Sequence, residues 1–267
     1  CVYRIHEVPS EDKIHDLREN LTGFGYKLTK GQLLRPKLFN QILSKAKGTD
    51  FEETINQLVL RSQSQAEYSI SNVGHFGRAL ARYAHFTSPI RRYSDLLVHW
   101  ALIAASYFDA GNKYSITDLL LEDICKHISQ TERRAATAER AANDRYLASF
   151  MKDKVGQTFN ATISGVKKFG VFVTIGQENV DALLPTSKLP ADYYRYDERR
   201  QTLAGRHNGL VLGLGQKINV ILKTADAITG RLAVEYAEES SSYRNMDLLI
   251  APYKTRSKTS KNRRGKR

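Results

Sequence analysis

The residues best placed to do chemistry lie in one run, His85-Phe86-Thr87-Ser88-Pro89-Ile90-Arg91-Arg92-Tyr93-Ser94-Asp95. Ser88-Pro89 predicts a helix start, a capping residue followed by proline at the first helical position. Such a start carries unpaired N–H groups and partial positive charge, so a cation in its first turn is mildly unfavourable. Arg91 and Arg92 both stand there. A phosphate would account for them: the N–H groups, the Thr87 and Ser88 hydroxyls and a guanidinium fork could converge on one phosphodiester. An internal reading stays open beside it, in which i,i+4 spacing lets Arg91 pair with Asp95.

A second candidate is Lys167-Lys168-Phe169-Gly170-Val171-Phe172-Val173, two aromatics three residues apart around a glycine, beside two lysines. Rings that stack on bases and cations that meet phosphates are what single-strand binding requires, although both rings could equally be core. Tyr193, in the run Tyr193-Tyr194-Arg195-Tyr196, and Arg231, at the head of the last strand expected below, join this candidate nucleic-acid surface. His99 lies one turn beyond Asp95, and a lone helical histidine is more often a satisfied side chain than a base. For His75 and His85, among aromatics, contact with RNA bases and simple packing are both open. Glu132 and Glu139, seven apart, share a helix face but are thin material for a metal site.

Helices must position the first run and strands the second. Ser10 can cap a helix carrying Ile14, Leu17 and Leu21, and Pro36 suits the first position of another, with Leu38, Ile42 and Leu43 inward. Asp50 and Glu53 form a capping-box-like start for a third, with Ile55, Leu58 and Val59 on its buried face. The helix from Ser88 should run to about Tyr107, with Ile90, Tyr93, Leu97, Trp100 and Ala104 as its core stripe. A loop at Gly111-Asn112 then leads to a long helix from about Asp118 to Lys152. At Val155-Gly156 the period changes to two. Five strands are expected, Gln157 to Val166, Phe169 to Ile175, Ala182 to Thr186, Lys217 to Ala225 and Arg231 to Tyr236, with one long connection from Leu189 to Gly215. That spacing fits a small OB-type barrel.

Composition sets the frame. At 267 residues, with 41% apolar and 26% charged residues, the chain is long enough for about two domains and is of ordinary globular composition. Cys1 and Cys125 cannot build a disulfide framework or a four-ligand zinc site, and Cys125 reads as a buried small hydrophobe in a reducing setting. The longest apolar candidate, Leu96 to Phe108, is interrupted by His99 and too short to span a membrane. An extended apolar opening at Cys1 leads to the expectation that the chain is the C-terminal part of a longer polypeptide. The net charge is +13, and without the eight basic residues that follow Tyr253 it falls to +5. A polyanion partner follows, nucleic acid ahead of a membrane surface.

The run from His85 to Asp95, inside Gly74-His75-Phe76-Gly77…Tyr83-Ala84-His85, resembles the signature of the ribonuclease II / ribonuclease R exonucleases. The stretch from Val155-Gly156-Gln157 through Gly165…Phe169-Gly170-Val171-Phe172-Val173 resembles the S1-type RNA-binding domain that follows the catalytic (RNB) domain in that family. The insertion with Asp192-Tyr193-Tyr194 and the Lys/Arg-rich end side with the ribonuclease R branch. The implied fold is α+β: the mainly helical C-terminal half of an RNB catalytic domain (1–153), a five-stranded OB-fold barrel of S1 type (154–238), and a disordered basic tail (239–267). The implied activity is processive 3′-to-5′ hydrolysis of single-stranded or structured RNA to nucleoside 5′-monophosphates with Mg²⁺, in the cytoplasm. Arg91 then matches the arginine that holds the reacting phosphate, and Glu139 a glutamate near the catalytic centre. Thr87, Ser88, Arg92, Lys167, Lys168, Phe169, Phe172, Tyr193 and Arg231 are the RNA-binding candidates.

The departures are specific. The family's metal-binding aspartates lie upstream of a segment that Tyr3-Arg4-Ile5-His6-Glu7 resembles, and no such cluster occurs here. Pro185 stands where many relatives carry histidine. The competing class is a non-catalytic single-stranded RNA-binding protein or subunit.

The tail predicts a measurable salt effect. If it neutralises about four phosphates, deletion after Pro252 flattens the log–log salt dependence of RNA binding by roughly 3, at about 0.7 per contact on a single strand. An unchanged slope would remove the tail from the RNA-binding surface.

Overall fold

The computed structural model describes residues 1–29, 31, 34–106, 118–176, 178–198 and 200–237. Helix α1 (Glu11–Gly23) buries Ile14, Leu17 and Leu21, the face its apolar spacing calls for. Ser10 stands at its N-cap, but the Ser10 carbonyl, not the hydroxyl, makes the capping contact, accepting the Ile14 N–H. Helix α2 (Pro36–Ala46) has its proline at the first position and buries Phe39, Ile42 and Ala46, while Leu38 and Leu43 are only partly covered. The capping box expected at the third helix does not form. Helix α3 (Glu52–Ser62) has Phe51 at its N-cap, and the Asp50 carboxylate instead meets Lys217 at 2.7 Å. Ile55 and Val59 of α3 complete one core with α1 and α2.

The helix expected from Ser88 begins at Tyr93 instead (α4, Tyr93–Ser106). The Ser88 carbonyl accepts both the Arg91 and Arg92 N–H groups, closing a tight turn before the helix. That turn lifts Ile90 fully into solvent and leaves Tyr93 and Ala104 exposed, so the expected stripe is corrected to Ser94, Asp95, Leu97 and Val98. Trp100 is half-buried against a core of Val2, Tyr68, Leu97, Val98 and Cys125. Strand β1 (Tyr3–Ile5) pairs antiparallel with β2 (Glu67–Ser69) beside this core, so the first residues of the chain meet the segment before the turn. The expected helix end at Tyr107 and the loop at Gly111-Asn112 lie outside the described residues.

Helix α5 (Asp118–Met151) is continuous, as its lack of Gly and Pro implies. Cys125 near one end packs in the core with Val2 and Tyr68, where burial pushes its thiol up to about 11. Ala148 and Met151 at the other end enter the barrel core. Between them residues 132–140 are exposed. No helix among the described residues is long and apolar enough to cross a membrane.

The five expected strands form a closed barrel, with bounds shifted by up to two residues: β3 (Thr158–Lys167), β4 (Gly170–Ile175), β5 (Val180–Pro185), and, after an insertion, β9 (Lys217–Asp226) and β10 (Arg231–Tyr236). Ten-residue β3 closes it: its first half pairs with β9 and its second half with β4. Alternation sends Ile163, Val166, Val171, Val173, Ile175 and Leu184 inward. The long connection is more ordered than expected and contains a three-stranded antiparallel sheet, β6 (Tyr194–Asp197), β7 (Thr202–Gly205) and β8 (Val211–Gly213). Gly215 then turns with φ +75° in a position where a Cβ would press on Thr54, Phe51 and Phe24, so the barrel sits tightly on the helical core. Arg61 reinforces the contact by donating to the Ser164 carbonyl at 3.1 Å.

Gly170 sets the closest approach of β4 to β5, since a Cβ there would lie 2.5 Å from the Leu184 carbonyl oxygen. Gly170→Ala is expected to cost about 1–3 kcal/mol through overpacking against backbone. A fall in Tm measures it, and an unchanged Tm would show that the strands separate freely.

Candidate nucleic-acid interface

The turn that presents the arginines is held by a carboxylate with no exposed surface, Asp95. It accepts the Arg92 guanidinium through both oxygens (2.9 and 3.0 Å), the Ser88 N–H (2.7 Å) and the Ser94 hydroxyl (3.1 Å). Burial alone would raise its pKa, but these donors outweigh it and hold the carboxyl below the usual range. The internal pairing left open in the sequence is thus made, but by Arg92 at i,i+3 and not by Arg91 at i,i+4. Arg92 is thereby committed inward. Arg91 is exposed, next to exposed Thr87, and its guanidinium has no hydrogen-bond or ion-pair partner among the described residues. Ser88 contributes backbone rather than hydroxyl to the turn.

Around the turn the aromatic and histidine side chains pack on one another. The Tyr68 hydroxyl meets His85 Nδ1 at 2.9 Å, and Arg4 lies over the Tyr68 ring while gripping Glu132 with two nitrogens at 2.6 and 2.8 Å. His6 accepts the Gly77 N–H on Nδ1, leaving Nε2 to donate to the Ser64 carbonyl at 2.7 Å. A Cβ at Gly77 would reach that ring nitrogen, which explains the glycine. His75 sits between the His6 and Tyr83 rings, so packing is the outcome for it and for His85. His99 is likewise satisfied, stacked 4.2 Å from the Phe86 ring and bonded to the Phe86 carbonyl at 2.9 Å.

On the barrel both candidate rings face out. Phe169 is 58% and Phe172 38% exposed, their rings 6.0 Å apart and nearly perpendicular. Phe172 rests over Gly165, a residue without a side chain to lift it. Lys167 and Lys168 are exposed beside them, with no partner among the described residues. Pro185 ends the neighbouring strand opposite Gly170. Arg231 is also exposed, but it lies across from Asp226, which the Thr229 hydroxyl and nearby N–H groups hold below the usual carboxylate range with Arg231 adding to the effect. Tyr193 is 70% exposed at the edge of the inserted sheet.

Comparison with known proteins agrees with this arrangement. Residues 1–107 match the RNB domain and residues 152–236 the S1 RNA binding domain. Ribonuclease R of Aquifex aeolicus (strain VF5) is 38% identical over 246 residues, 92% of this chain and 35% of that protein. Ribonuclease R of Escherichia coli (strain K12) is 38% identical over 230 residues, 82% and 28% respectively. The solved structure of Mycoplasma genitalium RNase R in complex with ribose methylated single-stranded RNA superimposes with a TM-score of 0.78 at 29% identity, covering 88% of this chain and 37% of that one. The chain thus joins an RNB-domain match to an S1-domain match and is similar along most of its length to ribonuclease R proteins. It spans about a third of the length of the curated relatives it matches.

For Arg91 and Glu139, the two positions to which the resemblance assigns catalytic roles, the geometry is uneven. Arg91 is presented at an open turn, whereas Glu139 lies on the exposed middle of α5 without contact to it among the described residues. Mg²⁺, which the ribonuclease R resemblance implies, does not fit the carboxylates described. Asp95 is saturated by its donors, Glu132 is gripped by Arg4, and no described His, Cys, Asp or Glu residues gather as a metal-binding group. The missed feature is the Asp95 lock, whose signal was an acid three residues after the paired arginines.

The packing around the turn carries a pH signature. Burial, then the Arg92 and Arg4 charges, push His85 down to about 4 from an ordinary 6.5. The unfolded chain therefore binds the extra proton first, and stability present above pH 6.5 is lost as pH falls towards 4. His85→Gln is expected to flatten the urea midpoint over that window; an equally steep profile would assign the loss to other groups.

Proposed function

We propose that this chain is the RNA-binding C-terminal part of an RNB-type 3′-to-5′ exoribonuclease, divided as 1–153, 154–238 and 239–267, that acts on single-stranded or structured RNA in the cytoplasm. The barrel holds the strand and Arg91 meets a phosphate near the reacting end. The observation that carries this reading is the outward pair Phe169 and Phe172 on a closed barrel, beside Lys167 and Lys168. Exposed rings offer stacking to any base, and unpaired ammonium groups offer charge to the backbone. A stacked base would cover ring surface that is otherwise left in water, and the hydrated ammonium groups would gain by releasing counterions from the phosphates.

Arg91 serves the same polyanion differently. A guanidinium fork grips two phosphate oxygens at once and stays charged at every working pH. Its turn is fixed by Asp95 and Arg92, so the fork is offered from a rigid base, with the Thr87 hydroxyl and exposed Lys167 and Lys168 available to a strand's other phosphates.

Two measurements test the proposal together. Phe169→Ala or Phe172→Ala should weaken single-stranded RNA binding by about 1–3 kcal/mol without loss of fold. The 267-residue chain should bind RNA yet release no nucleotides with Mg²⁺. Unchanged affinity in both variants would overturn the barrel site, and mononucleotide release would place the metal ligands in this chain.

A further inference from the structure

The inserted sheet has two unlike faces. Residues paired across an antiparallel ladder share a face, so the register groups Tyr194, Tyr196, Leu203, Gly205 and Leu212 on the inner side. Leu203 and Leu212 are fully buried there and join the barrel core. Alternation sends Tyr193, Arg195, Ala204 and Arg206 outward. The Arg206 N–H donates to the Tyr193 carbonyl at 3.0 Å, which extends the pairing one step past β6 and β7 and sets those two side chains side by side.

We propose that this outer face is a second contact site for single-stranded RNA, in which the Tyr193 ring stacks on a base while Arg195 and Arg206 hold the adjoining phosphates. The inference rests on the RNA-binding reading above and adds a site to it. Tyr193 is 70% exposed, and neither guanidinium meets an acceptor among the described residues. Ala204, small and half-buried, leaves a low floor between them.

The acids nearby are turned away. Asp197 lies at the far end of the same face, where it accepts the Arg200 N–H at 3.1 Å. Asp192 adjoins Tyr193, yet its side chain is only 1% accessible and accepts the N–H groups of Tyr193, His207 and Asn208 and the His207 ring. Burial opposes its ionisation, but these four donors hold the carboxyl far below the usual range. Gly205 locks the same corner, since any Cβ would strike the Asn208 side-chain oxygen and the Asp192 carboxylate. The corner is rigid, so stacking on Tyr193 costs little ordering of the protein.

A single strand suits this face better than an acidic peptide. Carboxylates would satisfy the arginines but give the ring no flat partner, whereas each nucleotide brings one base for each phosphate.

The test is fluorescence anisotropy of the full 267-residue chain with a labelled single-stranded RNA twelve nucleotides long, over a range of salt. Tyr193→Ala should weaken binding about tenfold and Tyr193→Phe should bind as the parent does, with Tm unchanged in both because the ring is exposed. The Arg195→Ala/Arg206→Ala pair should flatten the log–log salt slope by about 1.4, two contacts at 0.7 each. Parent-like affinity and slope in these variants, while Phe169→Ala still weakens binding, would overturn this site and leave the barrel reading standing. A parent chain that does not bind RNA would overturn both. If the arginine pair loses poly-glutamate and RNA equally and Tyr193→Ala is silent, the face is a general anion surface and the stacking site is overturned.

Discussion

A carboxylate shut away from water has to be met by donors, and Asp95 gathers its donors from the turn that precedes its own helix. An unanswered charge there would cost several kcal/mol, so the Ser88 amide and the Arg92 fork are drawn in together. Two consequences follow from that one demand. The helix begins at Tyr93 rather than beside Pro89, and the two adjacent arginines separate into one structural and one free. The free Arg91 guanidinium is thus presented by a half-buried one, Arg92, held on Asp95.

The same economy governs the neighbouring layer. Arg4 is held by Glu132 and by the face of Tyr68, and the Tyr68 hydroxyl holds His85, so the chain's first strand, its long helix and the segment before the turn are tied at one place. Helix α5 carries that tie to the barrel. Its ends lie in two different cores, and its exposed middle bridges them. Contacts of Arg61 and Gly215 brace the barrel against α1–α3 on another side.

Charge and aromatic surface are set together on the outside of the barrel. With its own core filled by aliphatic side chains, the barrel has no need of Phe169 and Phe172 inside, and its glycines let those rings lie close to the strands. The acids that could offset the neighbouring cations are engaged in turns, as at Asp192 and Asp226. Positive groups are left outward as a result.

What the amino-acid sequence determined by itself was periodic. Apolar spacing of three and four placed α1 and α2, a long run without Gly or Pro placed α5, and alternation placed five barrel strands within two residues, because propensity and side-chain direction along a helix or strand are local properties. Pro36 marked its helix for the same local reason. The tertiary structure decided the choices between chemically equal partners. Asp50 could cap α3 or meet Lys217, Asp95 could take Arg91 or Arg92, and the two phenylalanines could fill the barrel or face water. The sheet within the long connection was likewise unreadable, since its strands are three or four residues long and Leu203 and Leu212 are fixed only by a core far away in the chain. Each outcome depends on what another segment brings within a few ångströms, and no local spacing encodes that.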